Sequence, residues 1–209
     1  MTADPLDNIN CFCHSCVAPV RYMVEKHPGG ISAASPEGGA AFSLFHLQDM
    51  ELPEPTGEKG TPEEYNLGFL HVGENGKSLR TYTKCCNTQL NMGTGAAFPA
   101  NFRPLNRNCV YEVVRDEDGS IVTTLKPYTP IPSKIPTNCN LKHAYDDVDI
   151  ESIPEPKSNG VPMGFFLPMV GRILMYLVGY DKDPKMDAIL FIHARPDQVP
   201  VETVPITWK

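Results

Sequence analysis

The sequence predicts a mainly β protein, and three observations support this fold class. Two β-branched runs flank Asp118-Gly119, which is a strong hairpin pattern, and the runs on either side of Asn75-Gly76 predict a second hairpin. Residues 40–47 alternate well enough to form another strand. The 21 prolines among 209 residues are roughly twice the average usage, which argues for loops and short strands and against a helical bundle.

The order of these patterns along the chain predicts three parts. Residues 1–125 are expected to form the β domain, and 126–160 carry too many prolines for a helix or a central strand, so they should wrap over its surface. Residues 161–209 are expected to form a helix and an extended tail packed on the same domain. The charged, proline-rich stretch 51–66 is expected to be a surface loop.

The apolar stretch 163–180 approaches the length of a membrane span. Pro168, Gly171 and Arg172 interrupt it near the centre, and a central arginine costs about 2.5–3.5 kcal/mol on insertion. We therefore expect a buried or groove-covering helix at 168–178. A helix that faces a protein partner or lies on a membrane surface is the alternative.

Charge and the N-terminal sequence limit the partners and the compartment. Eighteen Lys and Arg against 25 Asp and Glu give a net charge of -7, without a basic patch suited to nucleic acid. The polar, acidic start has neither the apolar core of a secretory signal nor the arginines of a transit peptide. We expect a reducing intracellular compartment, the cytoplasm or an organelle if the chain is processed.

Five of the seven cysteines fall into two short clusters. NINCFCHSCVAP, residues 8–19, contains Cys11, Cys13 and Cys16, and RTYTKCCNTQLNMG contains Cys85 and Cys86. In a reducing compartment, clustered cysteines more often bind metal or do redox chemistry than form disulfides. Three thiolates on one turn can supply three corners of a tetrahedral zinc site, and one residue of the later pair could supply the fourth.

The alternatives to a metal site are burial as small apolar residues and, for the vicinal pair Cys85–Cys86, thiol redox chemistry. Cys109 and Cys139 are isolated in sequence and are expected to be core residues.

The segments CFCHSC and LRTYTKCCNTQL together resemble the glutathione-dependent formaldehyde-activating enzyme (Gfa) and centromere protein V family. They are most similar to a branch with C-x-C-x-x-C and a later Tyr-x-x-Cys-Cys motif. The resemblance covers about residues 8–110. It implies a β-tent of small antiparallel sheets and a catalytic zinc on Cys11, Cys13 and Cys16.

The second, structural zinc of that family is not expected here. Its N-terminal C-x-C-G motif is absent, and Thr83 stands where the later motif has its first cysteine, so that only Cys86 of the four ligands remains.

Two main functions follow, and the fourth zinc ligand separates them. An exchangeable ligand predicts a carbon–sulfur lyase or thiol-adduct enzyme acting on glutathione-type thiols, with Arg80, Lys84 or His14 contacting the substrate. A fourth thiolate predicts a non-catalytic, zinc-clipped scaffold or subunit of an assembly, with 163–180 and the proline-rich segment as partner surfaces. No catalytic residue is assigned from the sequence.

Overall fold

The computed structural model describes residues 5–46, 57, 66–73, 79–91, 102–112, 115–120, 126–127, 135–162, 170, 174, 178 and 201–208. Within them the prediction of a mainly β fold is confirmed, because ten strands accompany one α-helix. The strands are β1 Asp7–Cys11, β2 Ala40–His46, β3 Leu67–Val72, β4 Leu79–Thr83, β5 Gln89–Asn91, β6 Phe102–Asn106, β7 Tyr111–Glu112, β8 Lys126–Pro127, β9 Thr137–Cys139 and β10 Val201–Val204. The helix α1 is His14–Lys26.

Eight of these strands form one open, mixed sheet in the order β10-β3-β4-β5-β6-β2-β1-β9. The resemblance implied several small antiparallel sheets. The eight-stranded sheet is antiparallel in its interior, and its edge strands β9 and β10 pair in parallel with β1 and β3. The short strand β9 begins directly after Pro136 and lies at one edge of the sheet. Proline is tolerated at an edge because its missing N–H is not needed for pairing with a further strand. β7 and β8 form a separate pair.

Both predicted hairpins correspond to antiparallel pairs. β3 pairs with β4, and β7 pairs with β8 on either side of a turn in which the Gly119 N–H donates to the Asp116 carbonyl at 3.0 Å. Gly119 has φ +81°, which favours glycine at this position. The loop predicted at 51–66 and the helix predicted at 168–178 lie almost entirely outside the described residues.

Helix α1 packs across one face of the sheet. Ala18 and Met23 form a buried cluster with Leu70, Tyr82 and Val204, and Val20 joins a second cluster around β1 and β2. Because alternate residues of a strand share a face, Arg80 and Tyr82 of β4 both lie on the helix side. Within the described residues, no helix is long and apolar enough to span a membrane.

The carboxylate of Glu202 joins β10 to the helix and to β4. It accepts hydrogen bonds from the hydroxyls of Tyr82 at 2.7 Å and Tyr22 at 2.8 Å, and it lies 2.9 Å from His27 Nε2. The Tyr82 ring lies directly over Gly68 of β3, where an added Cβ would come within 2.2 Å of it. Burial opposes ionisation of Glu202, but these hydrogen bonds outweigh burial and lower the pKa of this carboxyl.

We predict that Glu202→Gln destabilises the fold by about 1 kcal/mol at pH 7, a modest value because the Glu202 side chain is 36% exposed. A carboxyl whose pKa is lower in the folded state stabilises above its unfolded pKa of about 4.3 and loses this contribution as the pH falls through the folded pKa. Urea unfolding at a series of pH values should therefore show the variant and the wild type converging in acid. Thr203→Ala, at the exposed neighbouring position, is the control. An equal difference between wild type and Glu202→Gln at every pH would contradict this account.

Candidate metal centre

Three cysteine sulfurs meet where β1 ends and α1 begins. Cys11 is the last residue of β1, Cys13 precedes the helix as its N-cap, and Cys16 lies in the first turn. The three Sγ atoms lie within 4.8 Å of one another, and those of Cys11 and Cys13 are 3.3 Å apart. Among the described residues, this is the group of His, Cys, Asp or Glu side chains arranged to hold a metal ion. The sequence predicted this grouping.

The backbone of the turn explains why the sulfurs converge. Cys13 is extended, with φ -67° and ψ 148°, and its carbonyl accepts hydrogen bonds from the N–H groups of Cys16 at 2.9 Å and Val17 at 3.0 Å. The chain thus changes from strand to helix within two residues of Cys11. A helix N-terminus stabilises negative charge, and this favours thiolates in its first turn.

The three cysteines of the cluster differ in their pKa values. Hydrogen bonding from the Cys13 thiol, with help from Cys139 and Cys16, lowers the pKa of Cys11 far below its ordinary range, although burial acts in the opposite direction. The same contact raises the pKa of Cys13, and contact with Cys11 raises that of Cys16. The lowered pKa makes Cys11 the member of the cluster that is most readily held as a thiolate. A soft cation could replace the thiol protons, because thiols bind metals as thiolates.

Arg80 supplies positive charge beside this cluster. Its side chain is buried, at 3% exposure, and its Nη2 donates to the Ser15 carbonyl at 3.0 Å. That carbonyl would normally accept from the N–H of the residue four positions later, which is Pro19 and has no N–H. Burial lowers the pKa of Arg80, and the neighbouring thiolates act against this shift. The guanidinium thus satisfies the carbonyl that Pro19 leaves open and neutralises part of the cluster's charge.

Cys139 also contacts the cluster. It aligns with Cys11 in the parallel pair β1–β9, is 0% exposed and packs in the same buried cluster as Cys11. Its interaction with Cys11, together with burial, raises the pKa of Cys139. The side-chain amide of Asn140 donates to the Cys11 Sγ at 3.1 Å. The sequence predicted Cys139 as a buried residue, and it is buried, but it did not indicate that this residue lies beside the three clustered cysteines.

Cys85 and Cys86 lie elsewhere. They occupy an exposed turn after β4, where the Cys86 Sγ is 3.0 Å from the Thr83 hydroxyl. The next residue, Asn87, donates to the Pro28 carbonyl beyond the C-terminal end of α1. A 13-residue helix is about 20 Å long, so this turn is far from the cysteines at the N-terminus of α1. The structure gives no support to the expectation that Cys85 or Cys86 binds the same ion.

Neither of these two cysteines forms a disulfide, and the other five are free as well. The hydrogen-bonding contacts of Cys86 with the hydroxyls of Thr83 and Thr88 lower its pKa. Cys109 is half-buried, and burial raises its pKa to about 12.

The three residues expected to contact a substrate are separated. Arg80 is held against the helix, and Lys84 is exposed at the start of the Cys85–Cys86 turn. His14 stacks on Tyr145 with ring centroids 4.1 Å apart, beside an open cavity of about 420 Å³ that Asp146 and Asp147 also line. The structure does not bring the three side chains to one substrate pocket.

Fold and site together define a mainly β protein with a three-cysteine cluster that could hold a metal ion. Comparison of the chain with protein-family models, curated proteins and solved structures finds no match.

We predict that Arg80→Met lowers the affinity of the three-cysteine cluster for a soft metal ion, with added zinc as the probe, about 10–100-fold, the range typical of residues that support metal ligands. The buried thiolates would lose their neighbouring cation and the Ser15 carbonyl would lose its donor. Arg80→Lys should recover part of the affinity, because it restores the charge without the full set of donors. Competition with a chromophoric chelator measures these affinities. Lys84→Met is the matched control, and an equal loss in both methionine variants would contradict a specific role for Arg80.

Proposed function

We propose that this chain is a Gfa-like zinc-binding protein in which Cys11, Cys13 and Cys16 bind the metal. The observation that carries the proposal is the convergence of their sulfurs within 4.8 Å of one another. Zn–S bonds of about 2.3 Å in a tetrahedron place neighbouring sulfurs about 3.8 Å apart, so only small adjustments separate the observed cluster from a coordination site.

The donor set favours zinc among the divalent metals. Thiolates are soft ligands, which suit zinc and copper(I) and do not suit magnesium or calcium. The buried guanidinium of Arg80 and the first turn of α1 both favour thiolates over thiols at this position. The same features are of little use to cysteines that serve only as apolar core residues.

Carbon–sulfur lyase or thiol-adduct chemistry on glutathione-type substrates is the second candidate. It is favoured by the cavity beside His14, since His14 lies in the same helical turn as Cys16. Zinc with an exchangeable fourth ligand would act there as a Lewis acid that lowers the pKa of a bound thiol. Against it, Arg80 and Lys84, the two cations expected to contact the substrate, are placed apart, and Arg80 is already bound to Ser15.

We predict about one zinc per chain in protein purified without chelator. Cys13→Ser should lose most of this zinc and unfold at a lower temperature, because a structural metal adds its binding free energy to folding. Metal analysis by mass spectrometry and thermal unfolding measure the two effects. Cys85→Ser is the control and should retain both zinc and stability, since this thiol is exposed and distant.

A metal-free wild type, or equal zinc in Cys13→Ser and wild type, would overturn the zinc proposal. Glutathione that binds the zinc protein and changes the metal's ligand set would favour the lyase function over a structural role. A ligand set unchanged by millimolar glutathione would count against the lyase.

A further inference from the structure

We propose that Cys139 supplies a fourth sulfur ligand, so that the metal centre is a closed clip that fastens β9 to β1 and α1. This inference rests on the proposed binding of zinc by Cys11, Cys13 and Cys16, and it assigns the ligand that distinguishes a scaffold from an enzyme. It replaces Cys85 and Cys86 as the source of that ligand.

The strand register places Cys139 in position. β1 and β9 pair in parallel with Ile9 opposite Thr137, Asn10 opposite Asn138 and Cys11 opposite Cys139. Residues opposite each other in a sheet project to the same face, and Cys139 belongs to the same buried cluster as Cys11. The Phe12 N–H donates to the Cys139 carbonyl at 3.0 Å, so the pairing continues to the point where the chain turns toward Cys13.

Polar contacts on the other face hold this register. The Asn10 side-chain amide donates to the Asn138 side-chain oxygen at 2.9 Å, and Asn138 donates in turn to the Pro154 carbonyl at 2.8 Å. A slip of one residue would separate these amides and turn Cys139 to the opposite face. The buried pair Asn10–Asn138 therefore specifies which face Cys139 occupies.

Asn140 provides independent support. Its side-chain Nδ2 lies 3.1 Å from the Cys11 Sγ and 3.8 Å from the Cys139 Sγ, so one amide donor reaches both sulfurs. Asn140 has φ 58° and ψ 33°, a left-handed conformation that asparagine tolerates better than most residues. An N–H donor shared by two sulfurs suits two negatively charged thiolates, whose charge it offsets.

Other thiols of the described residues are poorly placed for this role. Cys85 and Cys86 are near the far end of α1, and the Cys109 thiol donates to the Asn106 carbonyl at 3.3 Å. The three sulfurs within 4.8 Å of one another do not include that of Cys139, which is paired with Cys11 across β1–β9 and lies in the same buried cluster. Completing the tetrahedron requires the Cys139 sulfur to come as close to Cys13 and Cys16 as the first three are to one another.

A closed metal clip would hold the segment that follows β9 in place. β9 has three residues and lies at the edge of the sheet. Residues 140–162 return over Phe12, with Leu141 and Ile153 buried against it. The exposed Arg21–Asp147 ion pair contributes little to the stability of this segment. A metal bond from Cys139 to the β1–α1 turn would anchor this segment.

Two measurements on the wild-type protein test the assignment. X-ray absorption of the zinc protein should give four sulfurs and no light ligand. Loading with cadmium-113 should give proton–cadmium correlations to the β protons of Cys11, Cys13, Cys16 and Cys139, and to none of Cys85, Cys86 and Cys109. Both measurements are made without any substitution, so loss of folding does not confound them.

Matched variants provide a third readout. Cys139→Ser should weaken zinc binding by at least 10–100-fold and speed hydrogen exchange in residues 137–158, whereas Cys109→Ser should do neither. Zinc with three sulfurs, or cadmium correlations lacking Cys139, would overturn this inference and leave the proposed zinc site standing. A wild type without zinc would overturn both.

Discussion

The contact between Arg80 and the Ser15 carbonyl is the interaction on which the rest of the site depends. Pro19 removes one helical hydrogen bond, and leaving the part-buried Ser15 carbonyl without a donor would be costly. Arg80 restores the donor from the middle of the sheet, and it thereby places a buried cation beside the cysteine thiolates. One side chain thus joins the helix to β4, satisfies the backbone and offsets the charge of the cluster. Lysine has the positive charge but lacks the planar set of donors that lets arginine bind the carbonyl and offset the charge of the cluster together.

The helix is held by polar contacts at both ends and by apolar packing between them. Near its N-terminus are the cysteines and Arg80, and near its C-terminus Tyr22 and His27 contact the Glu202 carboxylate of β10. Ala18 and Met23 pack on the sheet in the middle. Because protein interiors are close-packed, a shift at one end of the helix is transmitted to the other. The positions of the three sulfurs therefore depend on an edge strand about a helix length away.

The sequence indicates local features of this molecule better than long-range ones. Turn residues and β-branched runs predicted the hairpins, and close spacing predicted the cysteine triad, because both depend on neighbouring residues. Helix α1 was missed, since Pro19 in its interior argues against a helix and the compensating Arg80 lies far along the chain. Cys139 beside Cys11 was missed for a similar reason: parallel pairing of distant strands has no local pattern.

The contrast between Cys86 and Cys139 shows what sequence clustering can and cannot indicate. A doubled cysteine draws attention, but the length of α1 separates its turn from the triad. Cys139 stands alone in sequence, yet the register of β9 brings it beside Cys11. Because Cys11 and Cys139 are both buried, the cluster is closed to solvent on the side of the sheet. A substrate thiol would have to approach from the half-buried side, where Cys13 and Cys16 lie and where His14 is stacked on Tyr145. Cys139 needs no such path, since it is paired with Cys11 in the sheet and packs in the same buried cluster. This difference in access favours a closed clip over an open catalytic metal.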